Sequence, residues 1–550
     1  MTSSSPFASI DDLRGLSAPD LARFFAESCS DPEAIQRAVL LDVVRRNAHT
    51  EFGKTHGFAS IRSPDDFRRL VPVAEWNQFE PFSRRMESGE KDVLFAGAPR
   101  HFIATSGTTG ALKRLPESDE GAAAKSLVGK TRIAMLAKMA PAILDGQFIP
   151  LANAADMGKT AAGIPVGYAS GLALADTPPE ILDRMAFPPA AMKASRGEIL
   201  DYLIMRFALA RPNVRALVGN NPGRMTGLFE EADRNRDALI DDVANGTLRA
   251  DLELDPALRA HLGRALAPDP ERARFLRDSV AARGRLEPRG CWPGLSLVAC
   301  WLGGTIGRFV EGLRPWLPDS TLFADVGYGA SEAKINVPVR PGTPAAPLAL
   351  FACFFEFLPA DGGNPLLAHE LEVDREYVLL LTTYSGLYRY NLHDVVRVSG
   401  FAGRNPCIEF VAKTRDYGNL AGEKLSGAFV ADVVRQTLAE RNLRWRHFCA
   451  VADVAANRYV FCVEPDGPAA PDAAWLAALD QALSSRQPIY DLRRKEGMIR
   501  PPVLLVMRSG WLERLYADQI RPGFGTTQIK LPAICGSVPS PDFVARAVEP

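Results

Sequence analysis

The chain shows no excess of either charge: 64 Lys and Arg stand against 65 Asp and Glu, a net of −1. A sequence-independent polyanion binder works through a long-range positive field, so nucleic acid is not an expected partner and any anion must be bound locally. The eight cysteines are scattered without a Cys-x-x-Cys pair. Their spacing argues against a disulfide framework and a structural zinc site, and it fits a reducing compartment. No uninterrupted apolar run reaches the length of about 18 residues that a membrane-crossing helix needs. Met1-Thr-Ser-Ser-Ser-Pro-Phe7 lacks the basic stretch and apolar core of an export signal. A cytoplasmic location without membrane contact is therefore expected. Internal repeats and coiled-coil heptads are also missing, and nothing in the pattern demands more than a monomer.

What is present is a long chain with ample apolar content, 550 residues and 47% hydrophobic, which predicts two or more domains. Residues 10–48 carry helical apolar spacing, with Ile35, Val39, Leu40 and Val43 on one face. From Val71 the pattern shortens into mixed units, and His101-Phe-Ile-Ala104 predicts a strand feeding a glycine-rich loop, followed by a helix over Gly121–Ala140. Residues 225–290 predict several short amphipathic helices broken by Pro256, Pro268 and Pro270. Strands are predicted over Leu295–Ala299, Thr321–Ala324, Leu350–Phe357 and Tyr377–Thr383. After about residue 415 an αβ pattern restarts: helices over Phe429–Glu440 and Trp475–Ser484, strands over Arg458–Val463 and Pro502–Val506. The expected division is a large α/β domain over 1–415 and a smaller α+β domain over 416–550.

Several islands carry chemistry. Thr105, Ser106, Gly107, Thr108, Thr109 and Gly110, with Lys113 three residues on, supply hydroxyls, freely turning glycines and a cation beside a predicted strand. That is the composition of a phosphate-handling loop. It is not a Walker A loop, since Ala111 and Leu112 separate Gly110 from the lysine. The same residues also compose ordinary surface turns. Tyr328-Gly329-Ala330-Ser331-Glu332 follows a predicted strand and offers an aromatic face for a base and a carboxylate for Mg²⁺. Its plainer reading is a turn followed by Ser331 as a helix N-cap. Asp394 precedes a β-branched run, where a carboxylate can accept both hydroxyls of a ribose; alternatively it is a turn residue or an ion-pair partner of Arg389. Gly422-Glu-Lys424-Leu-Ser follows Phe410, Lys413 and Arg415 near the proposed domain boundary and fits a hinge that touches ligand.

These islands follow the order found in the adenylate-forming superfamily. More closely, the chain resembles the plant auxin-responsive acyl acid amido synthetases, the Gretchen Hagen family, and their bacterial relatives. The resemblance rests on Thr50-Glu-Phe-Gly-Lys-Thr-His-Gly57, Asp66-Phe-Arg-Arg-Leu-Val-Pro72, Leu387-Tyr-Arg-Tyr390, Gly422-Glu-Lys-Leu-Ser426 and Gln528-Ile-Lys-Leu-Pro532, and spans nearly the whole chain. It implies ATP and Mg²⁺ as cofactors, and a small carboxylic acid and an amino acid or related amine as partners. It also implies a C-terminal domain that rotates about a hinge. Residues 105–110 with Lys113 would cradle the phosphates, Tyr328–Glu332 would meet adenine and metal, and Asp394 would hold the ribose. Phe410, Lys413 and Lys424 would add nucleotide contacts, and Lys530 would stabilise the adenylation transition state. The implied reaction joins acid to α-phosphate, releases pyrophosphate, and then transfers the acyl group to an amine with loss of AMP. A coenzyme A acceptor, or a nucleotide-binding module without turnover, are the alternatives. Three departures from the family pattern stand out: His393 replaces a glycine before the ribose Asp, Lys413 replaces an arginine, and Ile529 replaces an aromatic.

Overall fold

The computed structural model describes residues 7–549 except 107–111, 153–156, 170, 173–176, 178, 195–196, 304–308, 361, 415–416, 419, 422, 424, 512–513, 515–532 and 536–537. The chain divides into two compact units, one of Met1–Leu392 and Val396–Phe410, the other of His393–Val395 and Val411–Pro550.

The first unit opens with the expected helices, Ala18–Ser28 and Pro32–Asn47, capped by Ser17 and Asp31. From the second of these, Gln36 reaches into the core, where its amide donates to the Leu350 and Cys353 carbonyls at 2.6 and 2.9 Å and accepts from Phe355 N–H at 2.7 Å. This clamp holds residues 350–353 as a turn, so the strand expected from Leu350 begins only at Phe354.

Three sheets build the unit. A four-stranded parallel sheet runs Gln147–Leu151, Val214–Gly219, Leu297–Cys300, Leu322–Asp325. The charged region 225–290 forms the four helices Pro222–Arg234, Arg236–Asn245, Pro256–Gly263 and Pro270–Arg283, whose buried residues join the apolar cluster that also holds Val298 and Phe323. A six-stranded sheet is ordered Leu366–Leu367, Phe354–Pro359, Glu376–Thr382, Tyr390–Ala402, Asn405–Lys413, Ala346–Pro347. The third sheet has three strands, with His101–Ser106 between Leu112–Glu117 and Val166–Gly167.

That third sheet corrects one expectation. The glycine-rich loop does not lead from a strand into a helix. It joins two antiparallel strands, with Thr105 opposite Lys113 and Ser106 opposite Leu112. Leu112-Lys-Arg-Leu-Pro-Glu117 takes the partner strand, with Leu115 in the core and Lys113 half-buried. The helix begins afterwards, at Asp119, where Ser118 Oγ accepts the Gly121 N–H at 2.9 Å as N-cap.

In the second unit a five-stranded sheet is ordered Ile534–Cys535, Trp445–Asp453, Arg458–Pro465, Arg500–Met507, Val544–Val548. Its core takes the inward faces of the helices Gly427–Glu440 and Ala473–Arg486. The fold is therefore α/β, with a large N-terminal part and a smaller C-terminal one. Among the described residues no helix is long and apolar enough to cross a membrane.

Candidate functional site

Parallel sheets leave their ligand-binding crevices beyond the carboxyl ends of the strands, and the chain places its Tyr-Gly-x-Ser-Glu segment there. The strand Leu322–Asp325 ends in a buried aspartate whose carboxylate accepts the Leu302 and Gly327 N–H groups at 2.8 and 2.7 Å. Burial pushes the Asp325 carboxyl up to about 6, against these two hydrogen bonds and the positive charge of Arg132. Gly327 then turns with φ +90°, and a Cβ there would meet the Arg132 guanidinium at 2.4 Å, so only glycine fits.

The motif itself folds back as a short hairpin. Gly329 pairs with Lys334, and Ala330 N–H donates to the Ala333 carbonyl at 2.9 Å, which puts Ser331 and Glu332 at the tip. No helix starts at Ser331, so its reading as an N-cap falls away. Tyr328 N–H donates to Asn336 Oδ1 at 2.7 Å, and the fully buried Asn336 amide donates on to the Ile408 carbonyl at 3.1 Å. The Tyr328 ring packs against Phe410 with centroids 5.6 Å apart. Two of the aromatic residues expected around the base are thus brought together. The Glu332 carboxylate has neither a hydrogen bond nor an ion pair among the described residues.

The scaffold of this hairpin is the helix Asp119–Met139, and its contribution was not legible beforehand. Gly121, Lys125, Gly129 and Arg132 recur at helical spacing and share a face. Arg132 donates to the Tyr328 carbonyl at 2.8 Å and to the Asn336 carbonyl at 2.7 and 2.9 Å. Lys125 donates to the Ser331 carbonyl at 2.8 Å and pairs with Glu117 at 2.5 Å. Two cations thus hold three carbonyls of residues 328–336. Burial pulls the Arg132 guanidinium down to about 10 and pushes the Glu117 carboxyl up. Lys334 is drawn down to about 7, by burial first and then by Arg132 and Lys125. The helix start is tied down as well: Ser118 Oγ donates to the Tyr384 carbonyl at 2.9 Å, Ser118 N–H donates to Ser385 Oγ at 3.2 Å, and a Cβ on Gly121 would lie 1.9 Å from that hydroxyl.

Lys113, on the strand after the glycine-rich loop, is half-buried, with its amine 3.5 Å from the Tyr390 hydroxyl and 5.9 Å from the Trp76 ring centroid. The backbones of Thr105 and Ser106 end the preceding strand; Gly107, Thr108, Thr109 and Gly110 lie outside the described residues.

The second unit holds Asp394 and Lys413. Asp394 does not open a strand but is the fifth residue of Tyr390–Ala402, buried and ion-paired with Lys413. Arg389 is committed elsewhere, to Glu356 at 2.9 Å. His393 sits at φ +59° and its Nδ1 lies 2.9 Å from Thr414 Oγ1. Lys424 and Lys530 lie outside the described residues. Glu423, the residue before Lys424 in sequence, has a buried carboxylate that accepts the Leu420 and Ala421 N–H groups at 2.7 Å each and the Tyr459 hydroxyl.

A parallel sheet with a carboxylate-tipped hairpin beyond its strand ends defines an α/β protein with a candidate ligand site at that edge. Matches to the GH3 family N-terminal domain over residues 21–322, its central domain over 347–413 and its C-terminal domain over 428–538 establish that the chain belongs to the GH3 family. It is 22% identical to the indole-3-acetic acid-amido synthetase GH3.3 of Arabidopsis thaliana, over 94% of this chain and 92% of that protein. It is 24% identical to the jasmonoyl-L-amino acid synthetase JAR6 of Nicotiana attenuata, over 93% and 92%. The solved GH3.15 acyl acid amido synthetase superposes with a TM-score of 0.83 at 20% identity, covering 96% of each chain.

Proposed function

We propose that this protein is an ATP-dependent acyl acid amido synthetase. In this reading a carboxylic acid attacks the α-phosphate of ATP, pyrophosphate leaves, and an amino acid or related amine then takes the acyl group with release of AMP. Membership of the GH3 family supports the reaction class. The observation that carries the site is the hairpin at residues 328–336: its backbone is fixed by Arg132 and Lys125, its tyrosine rests on Phe410, and its glutamate has no partner among the described residues.

Tyr328, Gly329 and Ser331 with Phe410 border the adenine, and Thr105–Gly110 with Lys113 cradle the phosphates. Asp394 accepts the ribose hydroxyls, and Lys413 forms an ion pair with that buried carboxylate. Lys424 adds a nucleotide contact. Glu332 fits Mg²⁺, because this ion takes one or two carboxylates and completes its shell with phosphate oxygens and water. When bound, the ion neutralises charge on the phosphate oxygens. Lys530, from a C-terminal domain over 416–550 that reorients between the half-reactions, stabilises the charge that develops at the α-phosphate. A monomer in the cytoplasm completes the reading.

The test is acid-dependent exchange of labelled pyrophosphate into ATP across a panel of acids, followed by AMP release with amino acids or coenzyme A as acceptor. Exchange, with AMP released to amino acids, is the expected result. No exchange with any acid would sink the proposal, and release only to coenzyme A would move the protein to the thioester-forming class.

A further inference from the structure

The hairpin that presents Glu332 carries a second charged side chain to which the nucleotide assigns no role. Lys334 stands in register opposite Gly329. Its amine reaches the face of the helix Asp119–Met139, where a Cβ on Gly129 would approach Nζ to 3.0 Å. Lys125 is satisfied by Glu117 and the Ser331 carbonyl, and Arg132 by the carbonyls of Tyr328 and Asn336. Lys334 has neither a hydrogen bond nor an ion pair among the described residues. Of the three cations at this face, Lys334 is left without a partner among the described residues.

The amine borders a pocket of about 10 Å³ shared with Lys125, Glu332, Thr383 and Ser385. That volume matches roughly one water-sized group, so it suits a terminal oxygen of a larger molecule and excludes a ring. A half-buried ammonium without an anion is costly, and a carboxylate answers it with a charge-assisted hydrogen bond. The neighbouring Glu332 does not serve, because it lies beyond ion-pair distance and is assigned to the metal.

We propose that Lys334 anchors a carboxylate subsite that holds a substrate carboxylate other than the one being activated. The inference rests on the amide-forming reading above. Two substrates offer such a group: the amino acid acceptor, through its α-carboxylate, and the acid, if it is a dicarboxylate.

The experiment uses two matched pairs with the full-length protein: an amino acid against its carboxamide as acceptor, and a dicarboxylic acid against its half-amide as acid. In one pair, Lys334→Met should lower kcat/KM for the carboxylate member relative to the amide by roughly 30-fold or more, the size expected when one partner of a desolvated charge pair is removed. The pair that responds identifies the source. Gly129→Ala, whose methyl would press on Nζ without altering charge, should reproduce part of the same loss of discrimination. Equal losses for both members of both pairs, or unchanged ratios in both variants, would overturn the subsite. If a thermal melt shows that Lys334→Met does not fold, an unchanged ratio in Gly129→Ala counts against it. Wild-type pyrophosphate exchange separates the two layers: exchange without Lys334-dependent discrimination removes the subsite alone, whereas no exchange with any acid removes the parent reading and the subsite with it.

Discussion

A single backbone angle bears on His393, one of the three departures from the pattern that the resemblance implies. His393 occupies the left-handed region at φ +59°, where a Cβ costs about 1 kcal/mol and glycine costs nothing. The family glycine at this position therefore reads as a conformational requirement. In this chain the imidazole offsets part of that cost through Thr414: Nδ1 lies 2.9 Å from the hydroxyl, and Thr414 N–H donates to the His393 carbonyl at 2.7 Å. Removing the ring and keeping the Cβ should leave the strain exposed. His393→Ala is expected to be less stable than His393→Gly by about 1 kcal/mol, measured by urea unfolding. Equal stabilities would mean that the surrounding strand, and not the residue, sets the angle.

At the scale of elements, the site depends on one helix and the end of one strand. Asp325 illustrates the cost of building it. Its folded pKa of about 6 lies above the ordinary value of about 3.9, so the folded state holds its proton to higher pH than the unfolded chain does. Stability contributed by this group is complete below about pH 4 and declines as pH rises towards 6. At about 1.4 kcal/mol per pKa unit the decline amounts to roughly 3 kcal/mol. Asp325→Asn should abolish it: the stability of the wild type relative to the variant is expected to fall by that amount between pH 4 and pH 7. A pH-independent difference would show that the carboxylate is ionised throughout.

The parts of this element-level picture that sequence made visible are those with a local signal. Helical periodicity marked Pro32–Asn47, and the motif Tyr328–Glu332 announced itself by composition. The strand Leu112–Glu117 was missed because Lys113 and Arg114 beside an Ala- and Lys-rich stretch resemble a helix approach, and only the ladder to His101–Ser106 settles the matter. Lys125 and Arg132 were invisible for another reason: a lysine or arginine on a helix is ordinarily solvated, and what singles these two out is carbonyls some 200 residues away in the chain. Several motifs behind the family resemblance turn out to be architecture. Phe52 stacks on Tyr388 at 4.6 Å, the Tyr388 hydroxyl donates to the Leu94 carbonyl at 2.6 Å, and Arg389 and Arg68 both pair with the buried Glu356 at 2.9 Å.

Over the whole molecule, the proposed chemistry separates the groups that hold the nucleotide from one that meets charge in the transition state, and the separation makes a kinetic prediction. Charge accumulates at the α-phosphate only in the adenylation transition state, so a lysine directed at that point contributes to rate and little to ground-state nucleotide affinity. The groups assigned to hold ATP at rest, Tyr328, Phe410 and Asp394, belong to other segments. Lys530→Ala should therefore lower acid-dependent pyrophosphate exchange by about 10²–10³-fold, the usual loss when one preorganised transition-state donor is removed. ATP binding, measured by equilibrium titration, should change by only a few-fold. The amide-forming half offers the control: when the variant is supplied with preformed acyl-adenylate, transfer to the amine should proceed near the wild-type rate, since the phosphoryl charge that Lys530 meets has already been formed and resolved. Weakened ATP binding with a normal exchange rate at saturation would make Lys530 a binding residue. Equal loss in both half-reactions would place it at the acyl carbon, in contact with the group that is transferred.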